Sequence, residues 1–254
     1  MKYMGMFVVI ALLSLLPVTI DAAAEAELTV SAAISLKDAF EEIRKLFQDS
    51  HKGVKVLYNF GASGSLARQI EGGAPADVFA SAAQKDMDDI EAKGLVVPGT
   101  RLNFARNSVV LVVPASGGVR LDSFAALKLA GIKKVAIGNP RTVPAGRYAE
   151  EVLNFYKALP AINNKLIFAE NVRQVLDYVA TGEVDAGIVY MTDALTRTVK
   201  VVSTAPEQSH KPVVYPIAVV RGTKNEKLSM AFIQTVNSEA AQGILRKYGF
   251  TTQK

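Results

Sequence analysis

The chain has 254 residues, with 29 lysines and arginines against 24 aspartates and glutamates, for a net charge of +5. Its basic residues are scattered, with no block of five or six and no interleaved aromatic stripe, which excludes the usual nucleic-acid-binding surface. Two histidines and no cysteine offer neither disulfides nor a recognisable metal-ligand cluster, so stability must come from core burial.

The chain opens on Lys2 and an almost uninterrupted apolar run from Met4 to Ile20, then Asp21-Ala22-Ala23-Ala24. This pattern predicts a secretory signal peptide over residues 1–24, cut after Ala24. An uncleaved membrane anchor is the competing reading, but the run is at the short end for a span. With no cysteine at the cleavage site there is no point for lipid attachment, so the expected location is the periplasm. Lys2 and Asp21 cancel, and the mature chain keeps its net charge of +5.

Strand and helix patterns then alternate. The apolar run from Leu28 to Ser35 reads as a strand entering a serine-bearing turn, then a helix whose inner face is Leu36, Ala39, Phe40, Ile43, Leu46 and Phe47. Ser35 and Asp38 have the spacing of a capping box. A second strand, Val54 to Phe60, enters Gly61-Ala62-Ser63-Gly64-Ser65 and another helix. Ala76 to Ala80 reads as a third strand, followed by a helix from Gln84 to Lys93.

A new block begins near Asn107. Ser108 to Val113 is a buried strand, Phe124 to Leu129 a short helix, and Val135 to Gly138 the next strand. A helix is predicted from Tyr148 to Leu159, with Tyr148, Val152, Phe155 and Leu159 on one face. Leu166 to Phe168, Val172 to Ala180 and Ala186 to Tyr190 read as strand, helix and strand. Val213 to Val220 is extended and interrupted by Pro216, which is tolerated at an edge or where a chain leaves one sheet for another. Two terminal helices follow, Glu226 to Val236 and Glu239 to Lys247.

Alternation of this kind predicts an α/β fold. The expected form is two-lobed, with two mixed, mainly parallel sheets flanked by helices and a ligand cleft between the lobes. Lobe 1 would comprise residues 25–106 and 216–254, and lobe 2 residues 107–215.

Several strand-to-helix turns carry donors. A helix start offers unpaired backbone N–H groups and the positive end of a dipole, so it attracts anions. Ser35, and Ser63 or Ser65, add hydroxyls at two such starts. Asn139-Pro140-Arg141-Thr142-Val143-Pro144-Ala145-Gly146-Arg147-Tyr148 forms a third, where Pro144 costs no hydrogen bond and Ala145 and Gly146 leave their N–H groups uncovered. Asn171 is a good N-cap before Val172, and Tyr190 places a phenol at a strand end. Such donors can converge on a small oxyanion without a full positive charge. Arg147 is expected to point outward into solvent; a reach into the cleft would favour a carboxylate-bearing substrate.

These motifs, with Ser65-Leu66-Ala67-Arg68-Gln69-Ile70, Gly73-Ala74-Pro75-Ala76-Asp77-Val78-Phe79 and Gly187-Ile188-Val189-Tyr190, occur together in one order. In that order the chain resembles the periplasmic molybdate-binding proteins of ABC importers, over essentially the whole mature chain. The resemblance implies that Ser35 and Ser63 donate through hydroxyl and N–H, Ala145 and Val172 through backbone N–H, and Tyr190 through its phenol. Ser65 stays open as the alternative second hydroxyl, because Gly64 stands where related chains can carry another serine. The implied ligand is tetrahedral molybdate or tungstate, with no cofactor; the implied partner is an inner-membrane ABC permease, and a monomer is expected. Neutral donors would reject a protonated oxyanion such as hydrogen phosphate, whose proton finds no acceptor. Separation from sulfate must rest on size.

Three rivals remain at this level. The fold suits binders of sulfate, phosphate or a small organic anion equally well. A sensor domain is possible, although no fused signalling segment is visible. A serine hydrolase is disfavoured, since Gly61-Ala62-Ser63-Gly64-Ser65 does not match Gly-x-Ser-x-Gly and no partner histidine is evident among His51 and His210.

Overall fold

The computed structural model describes residues 26–116 and 120–252. The expected signal peptide and its cleavage site lie outside the described residues. Ten strands and nine α-helices are described: β1 (Ala26–Ala33), α1 (Lys37–Ser50), β2 (Val54–Gly61), α2 (Ser63–Glu71), β3 (Val78–Ala80), α3 (Gln84–Ala92), β4 (Leu102–Asn107), β5 (Val109–Pro114), β6 (Val135–Gly138), α4 (Pro144–Phe155), α5 (Leu159–Ile162), β7 (Leu166–Ala169), α6 (Val172–Ala180), β8 (Ala186–Tyr190), α7 (Met191–Ala194), β9 (Val199–Thr204), β10 (Val213–Val219), α8 (Glu226–Val236) and α9 (Glu239–Lys247).

The strands form two five-stranded sheets, ordered β2-β1-β3-β10-β4 and β7-β6-β8-β5-β9. In each sheet the first three strands run parallel and the last two join antiparallel. The antiparallel strands are those on either side of the crossings. β4 ends at Asn107 and β5 begins at Val109; the return path leaves β9 at Thr204 and enters the first sheet at Val213. The result is a two-lobed α/β fold with helices on both faces of each sheet. Apolar strands such as β6 and β8 are buried along their length because helices cover both sides.

Local chemistry explains where the elements depart from sequence expectation. Pro216 sits neither at an edge nor at a crossing: β10 lies between β3 and β4, and the register shifts between Tyr215 and Pro216. That bulge removes the need for an N–H at Pro216, while its carbonyl still accepts from the Ser81 N–H at 2.9 Å. The helix expected over 148–159 stops at Phe155, because Lys157 takes a left-handed φ of 51° and α5 restarts separately. Phe155, assigned to the inner face, is 46% exposed at that helix end. The segment at Phe124–Lys128 is a 3-10 turn. Strands β4 and β9 were not expected. The first mixes Asn and Arg among its apolar residues, and the second is a half-exposed edge strand.

Candidate functional site

The carboxyl ends of six strands point into one region between the lobes. From the first sheet, β1 leads into the 3-10 turn Ile34–Leu36, β2 into α2, and β3 into Ser81-Ala82. From the second, β6 leads through 139–143 into α4, β7 into α6, and β8 ends on Tyr190. A small cavity lies there, and Ser35, Ser63, Ala145, Val172 and Tyr190 all line it. All five are buried. Ser65 does not line this cavity; it faces a neighbouring polar space with Asn139, Thr142 and Asn171.

The backbone contributes donors because of where these residues fall in their helices. Ser63 and Val172 are the first residues of α2 and α6, and Ala145 is the second of α4 behind Pro144. First-turn N–H groups have no intrahelical acceptor. Asn171 caps α6 by accepting from Gln174 N–H at 3.0 Å, which leaves the Val172 N–H uncovered by the cap. Gly146 allows α4 to start this close to β6: a Cβ there would lie 1.9 Å from the Gly138 carbonyl oxygen.

The hydroxyls are held by specific partners. Ser63 Oγ accepts from the Ala82 N–H at 2.9 Å, so its own proton is free to face the cavity. Ser35 Oγ lies 3.0 Å from the Tyr215 hydroxyl. Tyr190 OH reaches the Ala82 carbonyl at a long 3.4 Å. Burial, with Tyr215 and Tyr148 nearby, pushes the Tyr190 phenol well above its ordinary range, so it stays a neutral donor. The capping box expected between Ser35 and Asp38 does not form, because the 3-10 turn carries Ser35 away from the α1 start. Asp38 instead pairs with Arg173.

Among the described residues, none that lines the cavity is charged. The nearby cations are neutralised across the cleft. Arg147 is not solvated as expected: its Nη2 lies 2.5 Å from Oδ2 of the buried Asp86 on α3. A buried carboxylate needs a paired charge, and Arg147 supplies it. Arg173 bridges Asp193 Oδ1 at 2.5 Å within its own lobe and Asp38 Oδ2 at 2.6 Å in the other. A backbone bond from Gly64 N–H to the Thr142 carbonyl, 3.0 Å, also joins the lobes. Tyr215, Asn107 and Ala82 were missed as site residues by sequence reasoning. Their partners are remote in the chain, and no local motif marks them.

Neither histidine is at the cavity: His51 Nδ1 lies 3.1 Å from the Phe47 carbonyl and His210 Nδ1 2.7 Å from that of Lys211. Among the described residues no cluster of three or more His, Cys, Asp or Glu is arranged to hold a metal ion. No described helix is long and apolar enough to cross a membrane.

Two lobes, six strand ends and a donor-lined cleft define a periplasmic binding protein fold. Residues 28–251 match the family model of bacterial extracellular solute-binding proteins, and the chain belongs to that family. The molybdate-binding protein ModA of Escherichia coli is 42% identical over 234 residues, covering 89% of this chain and 90% of that one. ModA of Haemophilus influenzae is 37% identical over 235 residues, 91% and 92% of the two chains. The solved periplasmic molybdate-binding protein of Azotobacter vinelandii superimposes with a TM-score of 0.80 at 25% identity, over 89% of this chain and all of that one.

Proposed function

We propose that this protein binds molybdate and tungstate in the periplasm and delivers them, as a monomer, to an ABC importer in the inner membrane. The observation that carries this reading is the cavity itself, which gathers three hydroxyls and first-turn N–H groups from both lobes with no charged lining residue. A desolvated dianion is costly to bury unless each oxygen is well paired. Hydrogen bonds to a charged acceptor are about twice as strong as neutral ones, and helix starts add their dipoles. The names and sequence similarity of the molybdate-binding relatives favour molybdate over other tetrahedral ions. Capture proceeds by lobe closure: one lobe's donors take the ion, and the other lobe completes the shell. The closed surface, built from both lobes, is what the permease reads.

The test is titration of single variants with molybdate. Ser35→Ala, Ser63→Ala and Tyr190→Phe should each lose at least about 1 kcal/mol, the scale of a hydrogen bond to a charged group. Ser65→Ala should bind as wild type. Unchanged affinity in the first three would place the ion elsewhere.

A further inference from the structure

Outside the residues that line the cavity, a chain of side-chain hydrogen bonds ends on Ser35. Asn107 Nδ2 donates to Thr192 Oγ1 at 2.8 Å and to the Tyr215 hydroxyl at 3.1 Å. Tyr215 OH in turn lies 3.0 Å from Ser35 Oγ. The direction of this chain follows from its far end. The Ser108 N–H donates to Asn107 Oδ1 at 2.9 Å, which fixes the amide so that Nδ2 faces the two hydroxyls. An amide nitrogen only donates, so the Tyr215 oxygen accepts from it. The one phenolic proton then goes to Ser35 Oγ. Ser35 accepts there, and its own proton is left for the cavity.

Tyr215 is suited to this role. It is fully buried between β3 and β4, and its ring is fixed edge-on against Phe104 and Phe250. Burial pushes its pKa far above the ordinary phenol range, so the proton that it hands to Ser35 is present at every physiological pH.

We propose that Tyr215 and Asn107 are positioning residues that set the hydrogen-bond polarity of Ser35, making it a donor to the bound oxyanion and an obstacle to oxyanions that carry a proton. The proposal rests on the oxyanion reading of the cavity. To accept a proton from a ligand, Ser35 would have to turn its own hydroxyl proton away from the cavity, where Tyr215 already occupies the accepting side. A buried donor without a partner is the cost, and molybdate, which brings only acceptors, does not incur it.

Titration calorimetry of Tyr215→Phe, Asn107→Asp and the double variant tests the assignment. The ligands are molybdate, sulfate and phosphate, at a pH where phosphate is the singly protonated dianion. Charge is then matched, and only phosphate carries a proton. In Tyr215→Phe, affinity for molybdate and sulfate should fall about tenfold, the scale of one weakened charge-assisted bond. Hydrogen phosphate should lose less, so the molybdate-to-phosphate ratio narrows. Asn107→Asp reverses the chain, because a carboxylate takes the Tyr215 proton and Ser35 must then donate backwards. Its added charge also repels the ion, but that effect persists in the Tyr215→Phe background, whereas the polarity effect does not. Asn107→Asp should therefore cost roughly fivefold more in the wild type than in Tyr215→Phe. Proportional losses for all three ions together with additive effects would overturn the relay and leave the binding site intact. No binding of any of the three by the wild-type protein would overturn the oxyanion reading, and the relay with it.

Discussion

Arg173 directly follows Val172, whose N–H group opens onto the cavity, yet its charge is held away from an ion by Asp193 on one side and Asp38 on the other. Burial pushes the Asp193 carboxyl up to about 6 from an ordinary 3.8, with Arg173 pulling in the opposite direction. Between those two values the folded protein keeps a proton that the unfolded chain has released. The contribution of this group to stability is therefore full below about 3.8 and is lost as pH rises through about 6. Denaturant melts of wild type and Asp193→Asn across that window should show wild type losing ground to the variant as pH rises, then a constant difference above it. A difference that grows in favour of wild type with rising pH would contradict this assignment. At this scale, the placement of Ser35, Ser63, Ala145, Val172 and Tyr190 at strand ends or helix starts was legible in the local pattern, while their selection as donors came from the family resemblance. Tyr215 and the pairing of Arg147 with Asp86 were not, since they depend on partners 180 and 61 positions away.

The elements that carry the site are short strands feeding helix starts, and their geometry is tight. Gly64, the second residue of α2, donates its N–H to the Thr142 carbonyl across the cleft, and a Cβ at that position would lie 2.7 Å from the same oxygen. A Cβ there would have to push the lobes apart in this chain. Gly64→Ala should fold normally by circular dichroism. It should bind molybdate about tenfold more weakly, because overpacking of this size costs about 1–3 kcal/mol in the closed form. Solution scattering should also show less compaction on adding the ion. Wild-type affinity with full compaction would mean that the closed contact has no energetic weight. Most elements were readable from periodicity, and α8 and α9 fall where expected. The misses have physical causes. Edge strand β9 lacks the apolar run of a buried strand, and the break after α4 falls at a left-handed lysine, with Pro160 in the first turn of α5.

Across the whole molecule, the two sheets repeat one arrangement: three parallel strands whose ends carry donors, and two antiparallel strands at the crossings. The strand–helix alternation made two lobes legible. Crossings near residues 107 and 215 were also expected, but strands β4 and β9 beside them were not, because neither carries the apolar run of a buried strand. The mouth of the cavity lies between lobes joined by ion pairs and a backbone bond. Binding and closure are thus one event, and we infer that the uncharged cavity selects large, unprotonated tetrahedral dianions. The most direct measurement is titration calorimetry of the ligand-stripped wild-type protein with molybdate, tungstate, sulfate and phosphate. Molybdate and tungstate should bind tightly and one-to-one, with sulfate and phosphate far weaker. Tight binding of sulfate or phosphate in preference to molybdate, or no binding of any of the four, would contradict this selectivity.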